Sequence, residues 1–229
     1  METADIYLNQ ILHYWFGYLP HEKNENPEKK YKKQIFDEDT NSFLKLIQRG
    51  IWLLQVFSNS IEDSIEQIIV NSLSLFEVIL IKNHTLINYL GRNTIENIVF
   101  LLSKDNKEIN AESAVANMFT TLFHTSNPKI KNYLKKIKGR YKIYCEIVHK
   151  KDKVHNESIT NGMKRYWELC TNEKVKEALD NYFLSIYECV TIFYLENMDK
   201  FDKMSDEDKI IIEVLLPEDY RKEIKNIID

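Results

Sequence analysis

The chain has 229 residues, 44% of them apolar and 29% charged, and its 31 basic and 35 acidic residues leave a net charge of −4 with a pI near 5.9. That length suits one large domain with a core of its own. Five glycines and four prolines are too few turn residues for a β-sandwich or barrel, and no glycine-rich loop of the Rossmann kind occurs, so the composition points to an all-α protein.

In chain order, the first predicted helix runs from Thr3 to about Tyr18, with Ile11, Leu12, Trp15 and Phe16 on its apolar side and Gly17 and Pro20 at its end. A polar stretch containing Pro27 reads as a linker. Asp39 or Thr40 then caps a helix over 41–57, with Phe43, Leu46, Ile47, Leu53, Leu54 and Phe57 inward. The apolar spacing of Ile61, Ile65, Ile68, Ile69, Leu73, Phe76, Ile79 and Leu80 predicts a helix over 61–81. Shorter helices are expected over 94–103 and 111–124. Ser126-Asn127-Pro128 marks the start of a helix over 128–149, where Ile130, Leu134, Ile137, Tyr141, Tyr144 and Val148 form a bundle seam. A polar loop, a helix over 160–170 and a long helix over 173–197 follow. Ser205 caps one short terminal helix and Pro217 opens another. The expected architecture is an antiparallel bundle of four main helices over 39–198. An N-terminal helix and linker (1–38) precede it, and a short helical appendage (199–229) follows.

Cys145, Cys170 and Cys189 are odd in number and form no CxxC pair, which argues against a disulfide framework or a zinc knuckle and for a reducing compartment. The N-terminus carries acids where a signal peptide has a basic region, and no run of about 18 apolar residues occurs. A cytoplasmic protein without a membrane partner is the expectation.

The charge is unevenly spread. Between Pro128 and Lys153 ten basic residues (Lys129, Lys131, Lys135, Lys136, Lys138, Arg140, Lys142, Lys150, Lys151 and Lys153) face only Glu146 and Asp152. Interleaved with Tyr133, Tyr141 and Tyr144, this excess is a footprint suited to phosphate backbones; the plainer reading is a solvated lysine-rich face. His149 closes the helix, where an imidazole also suits the C-terminal end of the macrodipole. Glu146, three residues earlier, is placed to orient it. The same Glu-x-x-His spacing occurs in di-metal bundles, but no second one is present in the chain, so no metal and no other cofactor is expected. His155 and Asn156 in the following loop stand close enough in sequence to join a site at His149.

The run from Arg140 to Lys153, with Tyr141, Ile143, Cys145, Ile147, Val148 and His149 at matching positions, resembles the signature of the HEPN superfamily of helical nucleotide-binding domains. The resemblance covers about residues 39–198. It implies an HEPN-like four-helix core, action on RNA or nucleotides, a homodimer, and a bacterial defence or toxin–antitoxin setting with a cognate antitoxin or defence partner. HEPN ribonucleases pair an Arg with a His four to six residues later; here Tyr144 stands in the Arg position, and Arg140 lies on the opposite side of the helix from His149. Metal-independent cleavage needs a general base and a cation for the phosphorane. The resemblance gives His149 the first role; with the Arg missing, Lys142 or Lys150, from the same or a second protomer, is placed for the second, with Tyr144 and Glu146 beside them. Lys135, Lys136, Lys138, Lys150, Lys151, Lys153, His155 and Asn156 would hold the RNA. The alternative is a degenerate RNA- or protein-binding module that does not cleave.

Overall fold

The computed structural model describes residues 38–58, 65–103, 112–149, 171–197 and 203–228. Among these residues every regular element is a helix: α1 (Glu38–Ser58), α2 (Glu66–Leu80), α3 (His84–Ser103), α4 (Glu112–Thr125), α5 (Pro128–His149), α6 (Asn172–Glu196), α7 (Asp206–Leu215) and α8 (Glu218–Ile228). The all-α expectation is met. The predicted helices over 3–18 and 160–170, and Cys170, lie outside the described residues. No described helix is long and apolar enough to cross a membrane.

Two helices organise the bundle. α3 packs against α2, α4, α5 and α6, and α6 packs against α1, α3, α5 and α8. From Tyr182 to Phe193 α6 is buried on nearly every side, Ser185, Glu188 and Thr191 included. A helix enclosed all round must satisfy its polar groups within the protein. Thr191 donates to the Tyr187 carbonyl (2.8 Å) and Ser185 to the Asn181 carbonyl (3.1 Å). The Thr171 side chain caps the helix start by accepting from the Lys174 N–H (3.3 Å).

The periodicity misplaces two details. In α2 the predicted inward Leu73 is exposed, whereas Asn71 and Ser72, polar residues in the predicted apolar run, are buried. They belong to a hydrogen-bonded cluster: Ser72 Oγ pairs with Tyr182 Oη (2.9 Å), Thr94 Oγ1 donates to the same phenol (3.1 Å), and Asn71 Nδ2 reaches Thr94 (3.1 Å) and Asn93 (2.8 Å). Enclosure pushes the Tyr182 phenol up to about 12.

α3 begins ten residues before its predicted start at Thr94. The α2–α3 connection is a tight Schellman-type turn: Lys82 adopts φ 48°, its N–H donates to the Ile79 carbonyl (2.9 Å), and the Asn83 N–H to that of Val78 (3.3 Å). Asn83 then accepts from the Leu86 N–H (3.1 Å), capping α3. The first half of α3 buries His84, Asn88 and Gly91 beside the apolar Ile87, a mixed side that hides it from a hydrophobic-period reading.

α7 and α8, set off by sequence as an appendage, share the main core: Met204, Ile212, Leu215, Leu216, Tyr220 and Ile224 belong to the same cluster of buried side chains as α1–α6. Ser205 caps α7 as expected, accepting from the Asp208 N–H (3.1 Å).

Candidate nucleic-acid interface

α5 starts where the sequence places it. Asn127 accepts from the Ile130 N–H (3.0 Å), and Pro128, which lacks the N–H a first-turn residue would leave unpaired, opens the helix. Ile130, Tyr133, Leu134, Ile137, Tyr141, Tyr144 and Cys145 turn into the core. Val148, the last predicted seam residue, is half-buried.

The opposite side carries the charge. Lys129, Lys135, Lys136, Lys138, Lys142 and Glu146 are exposed and Lys131 is half-buried. At 3.6 residues per turn, Lys131, Lys135, Lys138 and Lys142 fall on one stripe, and position 149 continues its register. Among the described residues these four lysines have no carboxylate partner. Lys138 leans toward α4, its Nζ 5.6 Å from the Phe123 ring centre and 5.9 Å from that of Phe119. Lys136 lies over the Tyr133 ring at 5.2 Å. Both cations rest on aromatic faces.

Arg140 belongs to neither group. It points to α6, where its guanidinium forms an ion pair with Glu188 and its Nε donates to Ser185 Oγ (2.9 Å). From α8, Tyr220 donates a long hydrogen bond to the other Glu188 oxygen (3.4 Å). Tyr133 donates to Glu223 of α8 and stacks on Tyr220, ring centres 6.2 Å apart. Tyr141 donates to Glu96 (3.0 Å), which also accepts from Arg92 Nε (3.0 Å).

Of the residues assigned to one catalytic group, Tyr144 lies apart from Lys142 and Glu146. Tyr144 is 1% exposed, deep beneath α5, with Arg140 and Ser185 near its hydroxyl. Burial holds the phenol well above its ordinary range. It packs so closely on α3 that a Cβ at Gly91 would lie 2.7 Å from Tyr144 Cζ. Tyr144 is a core residue with no route to a ligand on the lysine side. Lys142 and Glu146 share the exposed side, one turn apart. His149 ends α5, and its side chain is outside the described part of the structure. Lys150, Lys151, Lys153, His155 and Asn156 are likewise outside the described residues. Lys135, Lys136 and Lys138 are exposed, as a binding role requires.

Sequence reading missed the Arg140–Glu188 pair. The available signal was that Arg140 falls on the edge of α5 next to the seam, away from the lysine stripe. Cys145 and Cys189 are both buried thiols, and desolvation raises that of Cys189 far above its usual range. Among the described residues no group of three or more His, Cys, Asp or Glu is arranged to hold a metal ion. The chemistry on offer at the exposed side of α5 is thus a row of ammonium groups on a rigid helix. No family model, curated protein or solved structure matches the chain.

Proposed function

We propose that the protein is an HEPN-like RNA-binding module whose ligand lies along the exposed side of α5. One observation carries this reading: Lys131, Lys135, Lys138 and Lys142 stand in a single stripe without carboxylate partners among the described residues, in a chain whose net charge is −4. An acidic protein with such a local excess of cations has a directed electrostatic field, and phosphate is the anion such a row matches. Binding is favoured over cleavage because Tyr144, which stands where the resemblance expects a catalytic Arg, is enclosed in the core.

The test is RNA affinity by fluorescence anisotropy across a salt series. The variants are Lys135→Glu/Lys142→Glu, both at exposed positions, and His149→Ala. Wild type is expected to bind with an affinity that falls steeply with salt. The double charge reversal should weaken binding at least tenfold, and His149→Ala should leave it within about twofold. Absence of salt-dependent RNA binding by wild type overturns the reading. RNA cleavage in EDTA that is lost in His149→Ala would replace it with a metal-independent ribonuclease.

A further inference from the structure

Resting on that reading, the side chains around the lysine stripe specify what kind of RNA it takes. Proteins that select single strands by sequence stack bases on exposed aromatic rings and read base edges with amide or guanidinium forks. The sequence of α5 contains three tyrosines, and all three are withdrawn: Tyr133, Tyr141 and Tyr144 are buried. Tyr133 and Tyr141 are engaged by Glu223 and Glu96. Phe123, at the α4 edge, lies under Lys138. Arg140, the only guanidinium on the helix, is locked to Glu188 and Ser185. Among the described residues, the exposed side keeps ammonium groups, Gly139, the aliphatic Ile143, Glu146 and, on its far flank, Asn132.

Lysine is a compact point charge that contacts phosphate without the planar geometry needed to discriminate bases. A row of them on a straight helix responds to the density of phosphates. From Lys131 to Lys142 the row covers about 16 Å at 1.5 Å per residue. Double-stranded DNA presents about one charge per 1.7 Å of its axis, roughly twice the density of one strand alone, and a second strand adds phosphate density to RNA in the same way.

We infer that the exposed side of α5 reads the phosphodiester backbone of duplex RNA and takes no information from the bases. Duplexes of unrelated sequence bind alike, and a single strand of the same length binds more weakly.

The experiment uses the full chain with four labelled RNAs: two 20-base-pair duplexes of unrelated sequence, and 20-nucleotide poly(A) and poly(U). Each is titrated between 50 and 200 mM salt. The two duplexes are expected to agree within about twofold and to bind at least fivefold tighter than either single strand. With about four phosphates neutralised, the slope of log K against log salt should be near −3.6. A single strand that binds as tightly as the duplexes, a tenfold preference between the duplexes or between poly(A) and poly(U), or quenching of a 2-aminopurine-labelled strand by stacking would overturn this inference while leaving RNA binding intact. Failure of all four RNAs to bind overturns the underlying reading as well.

Discussion

Glu188 sits at 1% exposure in the middle of α6, and its countercharge comes from a single side chain on another helix, Arg140. Removing one member of a buried pair leaves the other charged and desolvated, which costs about 3–5 kcal/mol; replacing both with apolar residues of similar volume is often neutral. Arg140→Met should therefore lower the urea midpoint sharply, and Arg140→Met/Glu188→Leu should recover most of the loss. An unrecovered double variant would mean that packing, not charge, sets the cost. A second test concerns His84, buried at the start of α3. Its imidazole is held below the usual 6.5, first by desolvation and then by the nearby Lys174 charge, against a smaller opposing effect of Glu177. As pH falls the unfolded chain takes up this proton before the folded one. The His84 contribution to stability is thus complete well above 6.5 and declines as pH falls from there toward the depressed folded value. Denaturation midpoints at pH 8 and pH 5.5 should differ less in His84→Gln than in wild type. At this scale the sequence was legible where residue type alone decides. Asn127 and Ser205 cap helices as expected, and Thr171 does so by the same chemistry, whereas Asp39 and Thr40, expected to cap α1, lie inside it. The partner of Arg140 was not legible, because it lies 48 positions away on a helix whose relative placement no local pattern encodes.

At the scale of elements, hydrophobic period located α1, α5 and α6 to within a few residues, because each buries a mainly apolar stripe. It lost the first half of α3, whose buried side uses Asn88 and Gly91. Gly91 is small because Tyr144 occupies the space a larger residue would need. Gly91→Ala gains helix propensity of about 1 kcal/mol but forces a methyl into a fully packed ring, so a net loss of about 1–2 kcal/mol is expected by urea denaturation. Gly91→Ala combined with Tyr144→Leu should relieve the clash; the absence of any relief would show that Gly91 matters for another reason. On α5 the sequence announced the excess of lysines correctly. Tyr141 and Tyr144 lie inward, as the seam spacing places them, and Tyr133, read only as interleaved with the lysines, is buried with them. The basic helix therefore presents its charge on one side and its aromatic rings to the core on the other.

For the molecule as a whole, the described residues of the C-terminal segment, expected as a helical appendage within a single domain, pack into the common core. Tyr220 stacks with Tyr133, touches Tyr187 and hydrogen-bonds Glu188, and Leu216 is 1% exposed. Short polar connections resemble domain edges in a sequence, whereas a shared core becomes apparent only when the helices are assembled. Deleting residues 203–229 should open one flank of α6 and the Arg140–Glu188 pair to water, lowering the thermal midpoint by well over 5 °C (a loss of several kcal/mol). A truncated chain with an unchanged midpoint would show that the terminal helices are dispensable. The position of α3, in contact with four other helices, bears on the energetics of recognition. It backs α5 directly, so the lysine row stands on a helix held by packing from several sides, the kind of region expected to open late in local unfolding. A ligand meets a surface already ordered: association there releases counterions without first folding a segment, and its heat capacity change should be small.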